Sequence, residues 1–331
     1  MSYKEIADFR QEKIHSWLKT ILPSPDYKME PASSDASFRR YFRVSQQDNT
    51  WIVMDSPPRY EDTIPFVNIA EFLLSQGINV PKIHAKEPEL GFLLLSDLGS
   101  TQYLEKLNDN SATTLYPLAI DELIQFQLSN TADIELPYYD TALLKQEMLL
   151  FPEWFLNKHL NIEPPVFLDA IYQCLIDSAL EQPKVFVHRD YHSRNLMMAN
   201  DKQPGVIDFQ DAVIGPISYD LVSLLRDCYI SWSEDKINSW IQYYLSNAQQ
   251  HGLLADISIK QFIRWFDLMG LQRHIKVLGI FSRLNYRDNK PTYMNDLPLT
   301  LRYVHQISKK YPELAELSGF LEQQPQIANI L

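Results

Sequence analysis

The chain has 331 residues, of which 45% are apolar and 22% are charged, and its formal net charge is −12. This composition excludes a disordered chain, and the length favours two domains. The acidic balance argues against a nucleic-acid partner, because such proteins usually present a basic face. The N-terminal residues lack the apolar core of a signal peptide, and no apolar run approaches the ~20 residues of a membrane span. We therefore expect a cytoplasmic monomer with no membrane partner.

The first hundred residues predict a small sheet with two helices. Residues 3–21 carry apolar side chains at the spacing of an amphipathic helix. The short segments that follow are rich in β-forming residues, and three in succession suggest an antiparallel meander. The predicted strands are 27–31, 37–44, 50–55, 79–85 and 91–99, and a second helix is predicted at 61–76.

The rest of the chain is mostly helical in pattern, with two short strands at 184–188 and 205–209. The composition shift near residue 100 predicts an α+β chain of two lobes. A small β-rich N-lobe would cover 1–99 and a larger helical C-lobe 100–331, with "LSDLGS" as the hinge and a cleft between the lobes. The predicted helices are about 112–129, 143–160, 165–181, 235–251 and 258–281.

The segment "VFVHRDYHSRNLMMA", residues 185–199, places a dense polar stretch between two apolar runs. His188 and His192 have a spacing that suits zinc on a helix, but the preceding residues are strand-like and no third ligand is near in sequence. His188, Asp190 and Asn195 instead match the H-R-D-x-x-x-x-N pattern of kinase catalytic loops. The polar stretch therefore indicates phosphoryl transfer rather than a zinc site.

A second motif lies downstream in "VIDFQDA". Asp208 is followed by Phe209, as in the D-F-G metal-binding motif, although Gln210 replaces the glycine. Phosphoryl transfer needs oxygen ligands for magnesium and a group that orients the attacking hydroxyl. We expect two short strands to bring Asp190, Asn195 and Asp208 to one cleft.

These motifs, with "IGPISYDL" at 214–221, resemble the aminoglycoside phosphotransferase and choline kinase-like superfamily. The segments "DASFRRYFRV", "VMDSPP", "GFLLLSDLG" and "LQRHIKVLGIFSRLNYRDNKPTYMNDLP" are similar to its anomeric sugar kinases of cell-wall recycling. The resemblance covers residues 35 to 298. It implies a two-lobed protein kinase-like fold, ATP and Mg²⁺ as cofactors, and phosphorylation of the C1 hydroxyl of N-acetylmuramate and N-acetylglucosamine.

The resemblance also implies roles for the polar residues of the two motifs. Asp190 would be the catalytic aspartate, which accepts a hydrogen bond from the substrate hydroxyl. Asn195 and Asp208 would bind Mg²⁺. His188 would support the loop by hydrogen bonds, because kinase catalytic loops assign the chemistry to the aspartate.

The nucleotide would lie against the N-lobe, where the chain departs from the protein-kinase pattern. The loop over the phosphates would be Ser33 to Phe38, which contains no glycine, and Met54 stands where the phosphate-pairing lysine would align. Arg40 or Arg43 could replace that lysine, but strand alternation puts them on opposite faces, so we expect at most one. The residues implied in nucleotide binding are Ser33, Ser34, Ala36, Ser37, Arg40, Arg43 and the adenine-binding hinge Ser96, Asp97 and Leu98.

The acceptor would lie against the C-lobe. Four charged residues in "LRDCYISW" and "LQRHIKVLG" are the candidates, namely Arg226, Asp227, Arg273 and Lys276. N-acetylmuramate carries a lactyl carboxylate, which calls for an arginine or a lysine. Other readings stay open at this point: a different acceptor such as choline, homoserine, another sugar or an aminoglycoside, or a nucleotide-binding pseudokinase.

Overall fold

The computed structural model describes residues 3–34, 39–199 and 203–330. The chain divides into two compact units. The first, which we call the sheet unit, comprises 1–101 and 197–210, and the second, the helical unit, comprises 102–196 and 211–331.

The helices and strands of the sheet unit are α1 Tyr3–Ile21, β1 Lys28–Ser34, β2 Arg40–Gln46, β3 Asn49–Asp55, α2 Ile64–Ser75, β4 Ile83–Glu87 and β5 Phe92–Ser96. The five strands form an antiparallel sheet in the order β1-β2-β3-β5-β4. The predicted meander is confirmed, since the first three strands are neighbours in chain order. A separate two-stranded sheet pairs β7 Leu196–Met197, whose first residue still belongs to the helical unit, with β8 Gly205–Val206.

One face of this sheet packs against α1, as the alternation of apolar residues along β2 predicts. Phe42 and Val44 of β2 lie in one apolar cluster with Trp17 and Leu18 of the helix. The even-numbered residues of β2 therefore point toward α1, and odd-numbered residues such as Arg43 point the other way.

The helical unit contains one further ladder, in which β6 pairs antiparallel with β9. The five predicted helices each have a counterpart in the structure, but the one predicted at 143–160 is an α-helix followed by a π-helical segment. The sequence pattern did not predict the helices at 103–106, 219–225, 297–310, 315–323 and 325–328. The elements are α3 Tyr103–Lys106, α4 Ala112–Leu128, α5 Thr141–Met148, the π-helix Phe151–His159, α6 Leu168–Leu180, β6 Lys184–Val187, β9 Val213–Pro216, α7 Tyr219–Leu225, α8 Glu234–Gln250, α9 Ile259–Tyr286, α10 Leu297–Lys310, α11 Ala315–Gln323 and α12 Pro325–Ala328, with short 3₁₀ turns at Thr131–Asp133, Pro291–Asp296 and Pro312–Leu314.

The 28-residue helix α9 forms the centre of the helical unit. It is buried through most of its length, and the buried side chains include Gln272, Arg273, His274 and Lys276. A Cβ atom on Gly279 would lie 2.4 Å from the carbonyl carbon of Leu150, so only glycine permits this close backbone approach. Among the described residues, no helix is long and apolar enough to span a membrane.

The second motif is less regular than the strand predicted at 205–209. Strand β8 ends at Val206, and Asp208 has a φ of 69°. This left-handed conformation, which a non-glycine residue seldom adopts, turns the backbone sharply at Asp208, so the strand does not continue.

Candidate active site

The loop that follows β6 is held by a buried carboxylate on α7. The backbone N–H groups of His188 and Arg189 donate to the two oxygens of Asp220, at 2.7 Å and 3.0 Å. Burial raises the pKa of Asp220 to about 7, although these two N–H groups oppose the rise. The position of the loop backbone is therefore fixed at its first two residues.

Arg189 occupies an unusual backbone conformation, with a φ of 77°. Its guanidinium forms an ion pair with Glu147 of α5. Lys276 of α9 lies 3.0 Å from the same carboxylate, and the Tyr139 hydroxyl donates to it. Burial alone would raise the pKa of Glu147, but Lys276 and Arg189 hold it below its ordinary value. This buried cluster retains Arg189 in a conformation that costs conformational energy.

The next residue in the loop is Asp190, which is half-buried. Its backbone N–H donates to Nδ1 of His188 at 3.2 Å, and its carbonyl accepts a hydrogen bond from Nδ2 of Asn195 at 3.0 Å. Burial would raise the pKa of Asp190, but the charges of Lys276, His192 and Arg273 hold it below its ordinary value. The carboxylate is therefore ionised at neutral pH, and its own backbone is held on both sides.

The middle of the loop is held by Asp227, which follows α7. One oxygen of this carboxylate accepts from the backbone N–H and the hydroxyl of Ser193, at 3.0 Å and 2.5 Å. The other oxygen accepts from the backbone N–H of Tyr229 at 3.1 Å. Asp227, which the sequence suggested as an acceptor-binding residue, thus stabilises the loop.

Asp208 belongs to the sheet unit, whereas Asp190 and Asn195 belong to the helical unit. The Asp208 carboxylate accepts from Nε2 of Gln210 at 2.8 Å. Phe209 between them is fully buried and packs against Phe66 of α2, with ring centroids 4.9 Å apart. The packing of Phe209 against Phe66 holds the turn in place. The Gln210 side chain donates a hydrogen bond to Asp208 that a glycine at this position could not donate. Within the described part of the chain, no group of three or more His, Cys, Asp or Glu side chains could hold a metal ion by itself.

The residues predicted to surround the phosphates are only partly described. Ser33 and Ser34 are the last two residues of β1, whereas Ala36 and Ser37 lie outside the described residues. Arg40 pairs with Asp55, which is fully buried and also pairs with Arg10 of α1.

Arg43 lies on the opposite face of β2 and contacts the predicted hinge. Its Nε lies 2.6 Å from Oδ2 of Asp97, and its Nη2 donates to the carbonyl of Gly99 at 3.0 Å. The hydroxyl and the backbone N–H of Ser96 already bond to the backbone of Lys82, at 2.8 Å in each case. The N–H of Ser96 therefore has a partner within the sheet unit, and contact of adenine with the backbone of Ser96–Leu98 stays a prediction.

The four predicted acceptor-binding residues have different surroundings. Asp227 holds the loop, as described above. Arg226 pairs with Glu234 and Asp267, at 3.1 Å and 3.4 Å. Lys276 pairs with Glu147 and donates to the Tyr219 hydroxyl at 3.1 Å. Arg273 has no carboxylate partner among the described residues, and its Nη1 donates only to the sulfur of Cys228, at 3.5 Å.

The sequence reasoning missed two of the carboxylates that hold the loop. Asp220 lies in the "SYDL" segment that carried the family resemblance, so its presence was noted but its bonds to the loop were not. Nothing in the sequence indicated that Glu147 is buried, because a glutamate in an amphipathic helix is ordinarily exposed to solvent. Only the packing of α5 beside α9 makes it a buried partner of two cations.

Comparison with known proteins identifies the family of this chain. Residues 28–254 match the family model described as "Phosphotransferase enzyme family". The chain is 45% identical over 333 residues to an N-acetylmuramate/N-acetylglucosamine kinase from Pseudomonas aeruginosa, covering 96% of this chain and 98% of that protein. It is 41% identical over 321 residues to the protein of the same name from Neisseria meningitidis, covering 94% and 95%.

A likeness to solved structures extends to more distant proteins. The choline kinase LicA from Streptococcus pneumoniae superposes with a TM-score of 0.63 at 11% identity, covering 89% of this chain and 99% of that one. At this identity the likeness concerns the fold alone, and it confirms the kinase-like α+β class that the sequence predicted.

Proposed function

Because the chain belongs to the phosphotransferase enzyme family, we propose that it is an ATP- and Mg²⁺-dependent kinase of N-acetylmuramate and N-acetylglucosamine that phosphorylates the anomeric C1 hydroxyl. The observation that carries the proposal is the 45% identity, over 96% of this chain, to a relative named for these two sugars. The loop around Asp190 supports it, because the catalytic-loop residues are present and firmly held.

In this proposal the carboxylate of Asp190 accepts a hydrogen bond from the C1 hydroxyl and orients its oxygen toward the γ-phosphorus of ATP. A bond forms between that oxygen and phosphorus while the bond from phosphorus to the β,γ-bridging oxygen breaks, and ADP leaves. The charges that lower the pKa of Asp190 make it a weak base. Its contribution is therefore mainly orientation, with the proton accepted late in the transfer.

Kinases of this family use ATP with a divalent metal in general, and we assign magnesium to Asn195 and Asp208. Both residues offer oxygen atoms, the ligand type that Mg²⁺ prefers, and Mg²⁺ commonly binds through one or two protein groups plus phosphates and water. Nδ2 of Asn195 donates to the carbonyl of Asp190, so its side-chain oxygen is the atom suited to a metal. When bound, the ion neutralises charge on the β- and γ-phosphates.

We assign nucleotide binding to the sheet unit, and catalysis and acceptor binding to the helical unit. The contacts of Arg43 with Asp97 and Gly99 support a role in holding the segment that we assign to adenine. The assignment of Ser33, Ser34, Ala36 and Ser37 to the phosphates stays a prediction, as does that of Arg40.

An acceptor panel tests the proposal directly. We expect the purified protein with ATP and Mg²⁺ to form ADP with N-acetylmuramate and N-acetylglucosamine, and ³¹P NMR to identify an anomeric phosphate. The matched control is the 1-O-methyl glycoside of N-acetylglucosamine, whose C1 oxygen is blocked and which should not react. Turnover confined to choline, homoserine or an aminoglycoside would overturn the substrate assignment, and ATP binding without turnover of any acceptor would indicate a pseudokinase.

A further inference from the structure

Arg273 is a buried cation that has no carboxylate within ion-pair distance among the described residues. It lies on α9 with 4% of its surface exposed. Its Nη1 lies 3.5 Å from the sulfur of Cys228, which is a weak hydrogen-bond acceptor. Because a buried charge is ordinarily paired, a guanidinium in this position is costly unless something else supplies the anion.

The neighbouring basic side chains do not share this property. Lys276, one turn farther along α9, is paired with Glu147 and bonded to Tyr219. Arg226 is paired with Glu234 and Asp267. Arg194, in the loop itself, stacks on the ring of Tyr229 at 3.5 Å and lies 4.0 Å from Asp296.

The electrostatic surroundings of Arg273 include the proposed catalytic carboxylate. Burial would lower the pKa of Arg273, but the neighbouring Cys228 and Tyr219 and the carboxylates of Asp227 and Asp190 raise it, so the guanidinium stays protonated. In return Arg273 is among the cations that keep Asp190 ionised. A cation whose charge acts on Asp190 lies in the region where an acceptor that is hydrogen-bonded to this carboxylate would bind.

We propose that Arg273 binds the carboxylate of the acceptor and so distinguishes N-acetylmuramate from N-acetylglucosamine, an inference that rests on the proposed function. The two sugars differ by the lactyl ether on O3, which carries one carboxylate and is attached two ring carbons away from C1. A planar guanidinium can bind a carboxylate through two parallel N–H groups. The neutral sugar makes no such ion pair.

The test compares both sugars in the same variants. In Arg273→Met we expect kcat/KM for N-acetylmuramate to fall by roughly 100-fold, since losing one partner of a desolvated ion pair is costly. The fall in kcat/KM for N-acetylglucosamine should be at least about tenfold smaller, because any effect on Asp190 is common to both sugars and only N-acetylmuramate loses an ion pair. Arg273→Lys keeps the charge but not the planar guanidinium with its two parallel N–H groups, so it should give an intermediate loss of kcat/KM with N-acetylmuramate.

Arg283→Met is the matched control on the same helix, since Arg283 is partly buried and is not among the charges that act on Asp190. It should leave the ratio of the two sugars unchanged. Turnover of N-acetylglucosamine reports that Arg273→Met is folded. An equal loss with both sugars would overturn the inference by assigning Arg273 to phosphoryl transfer, and no loss with either would also overturn it. Failure of the wild-type protein to use either sugar would instead overturn the proposed function.

Discussion

The loop from His188 to Asn195 and strand β2 both carry charged side chains next to carboxylates, but the carboxylates act differently in the two regions. In the loop, Asp220 and Asp227 bind backbone N–H groups, so the main chain is fixed and the Asp190 carboxylate remains available for chemistry. Along β2, Asp55 and Asp97 bind the guanidinium groups themselves. A carboxylate that binds the backbone leaves the neighbouring functional side chain available for the reaction. A carboxylate that pairs with a guanidinium compensates its positive charge.

The most severe test of this contrast is Asp190→Asn. We expect kcat to fall by about 10³-fold, because the amide cannot accept the hydroxyl proton, while ATP affinity is retained. Steady-state kinetics with N-acetylglucosamine and a nucleotide-binding titration measure the two effects. Asp256→Asn, at an exposed position, is the control and should keep full activity. Wild-type kcat in Asp190→Asn would contradict the catalytic role.

Glu147→Gln removes the charge that compensates Arg189 and Lys276. We expect the free energy of unfolding to fall by about 3–5 kcal/mol, because two buried cations lose their shared partner. Urea denaturation measures this loss, and Glu163→Gln, at an exposed position, serves as the control. Equal stability of the two variants would show that the cluster contributes nothing to the fold.

The stability of the helical unit should fall in acid through His274. Burial and the charge of Arg273 lower the pKa of His274 to about 3, from its ordinary value of about 6.5. Nε2 of this histidine bonds to the carbonyl of Arg226, and the ring stacks on Tyr303. Between pH 3 and 6.5 the unfolded chain binds the additional proton, so stability is lost as the pH falls through that window, by about 2 kcal/mol at pH 5.

Comparing urea unfolding of wild type and His274→Gln at pH 7.5 and pH 5 checks this prediction. The variant should lose less stability than the wild type over the same interval, because it has no imidazole to protonate. His251, which is exposed, provides the control through His251→Gln, which should retain the wild-type pH dependence. An identical pH response in His274→Gln would refute the assignment.

Replacement of Arg189 by glycine and by alanine separates the ion pair from the backbone conformation. Both variants lose the contact with Glu147, but alanine retains the cost of a φ of 77°, whereas glycine does not. We expect kcat of Arg189→Ala to be about tenfold below that of Arg189→Gly, in line with a conformational cost of about 1–2 kcal/mol. Equal kcat values would mean that the left-handed conformation has no part in positioning Asp190.

The smallest effects are expected at the two strand arginines. Arg43→Ala should raise the KM for ATP by up to about fivefold, because it releases Asp97 of the proposed adenine segment and the adjoining Gly99. Arg40→Ala should change this KM by less than about twofold, since Arg40 lies on the face that packs against α1 and its pair with Asp55 is structural. The reverse order would identify Arg40 as the cation that replaces the missing lysine.

Much of the fold was predictable from local pattern. The helix at 3–21 and the meander at β1 to β3 follow from side-chain periodicity, which depends only on neighbouring residues. The strand predicted at 205–209 was too long, because the pattern of apolar residues does not reveal the left-handed turn at Asp208. The family membership was likewise available from the motifs around Asp190 and Asp208.

The sequence by itself predicted that Asp190, Asn195 and Asp208 carry out phosphoryl transfer, because they match the H-R-D-x-x-x-x-N and D-F patterns of kinases. Only the tertiary structure decided which of the charged residues has a partner of opposite charge or a hydrogen-bond partner that holds it in place. Asp227, Arg226 and Lys276 were candidates equal to Arg273 until the packing of α5, α7 and α9 gave them buried partners. The reason is physical: the charge of a side chain is fixed by its identity, but its ion-pair partners come from segments distant in sequence.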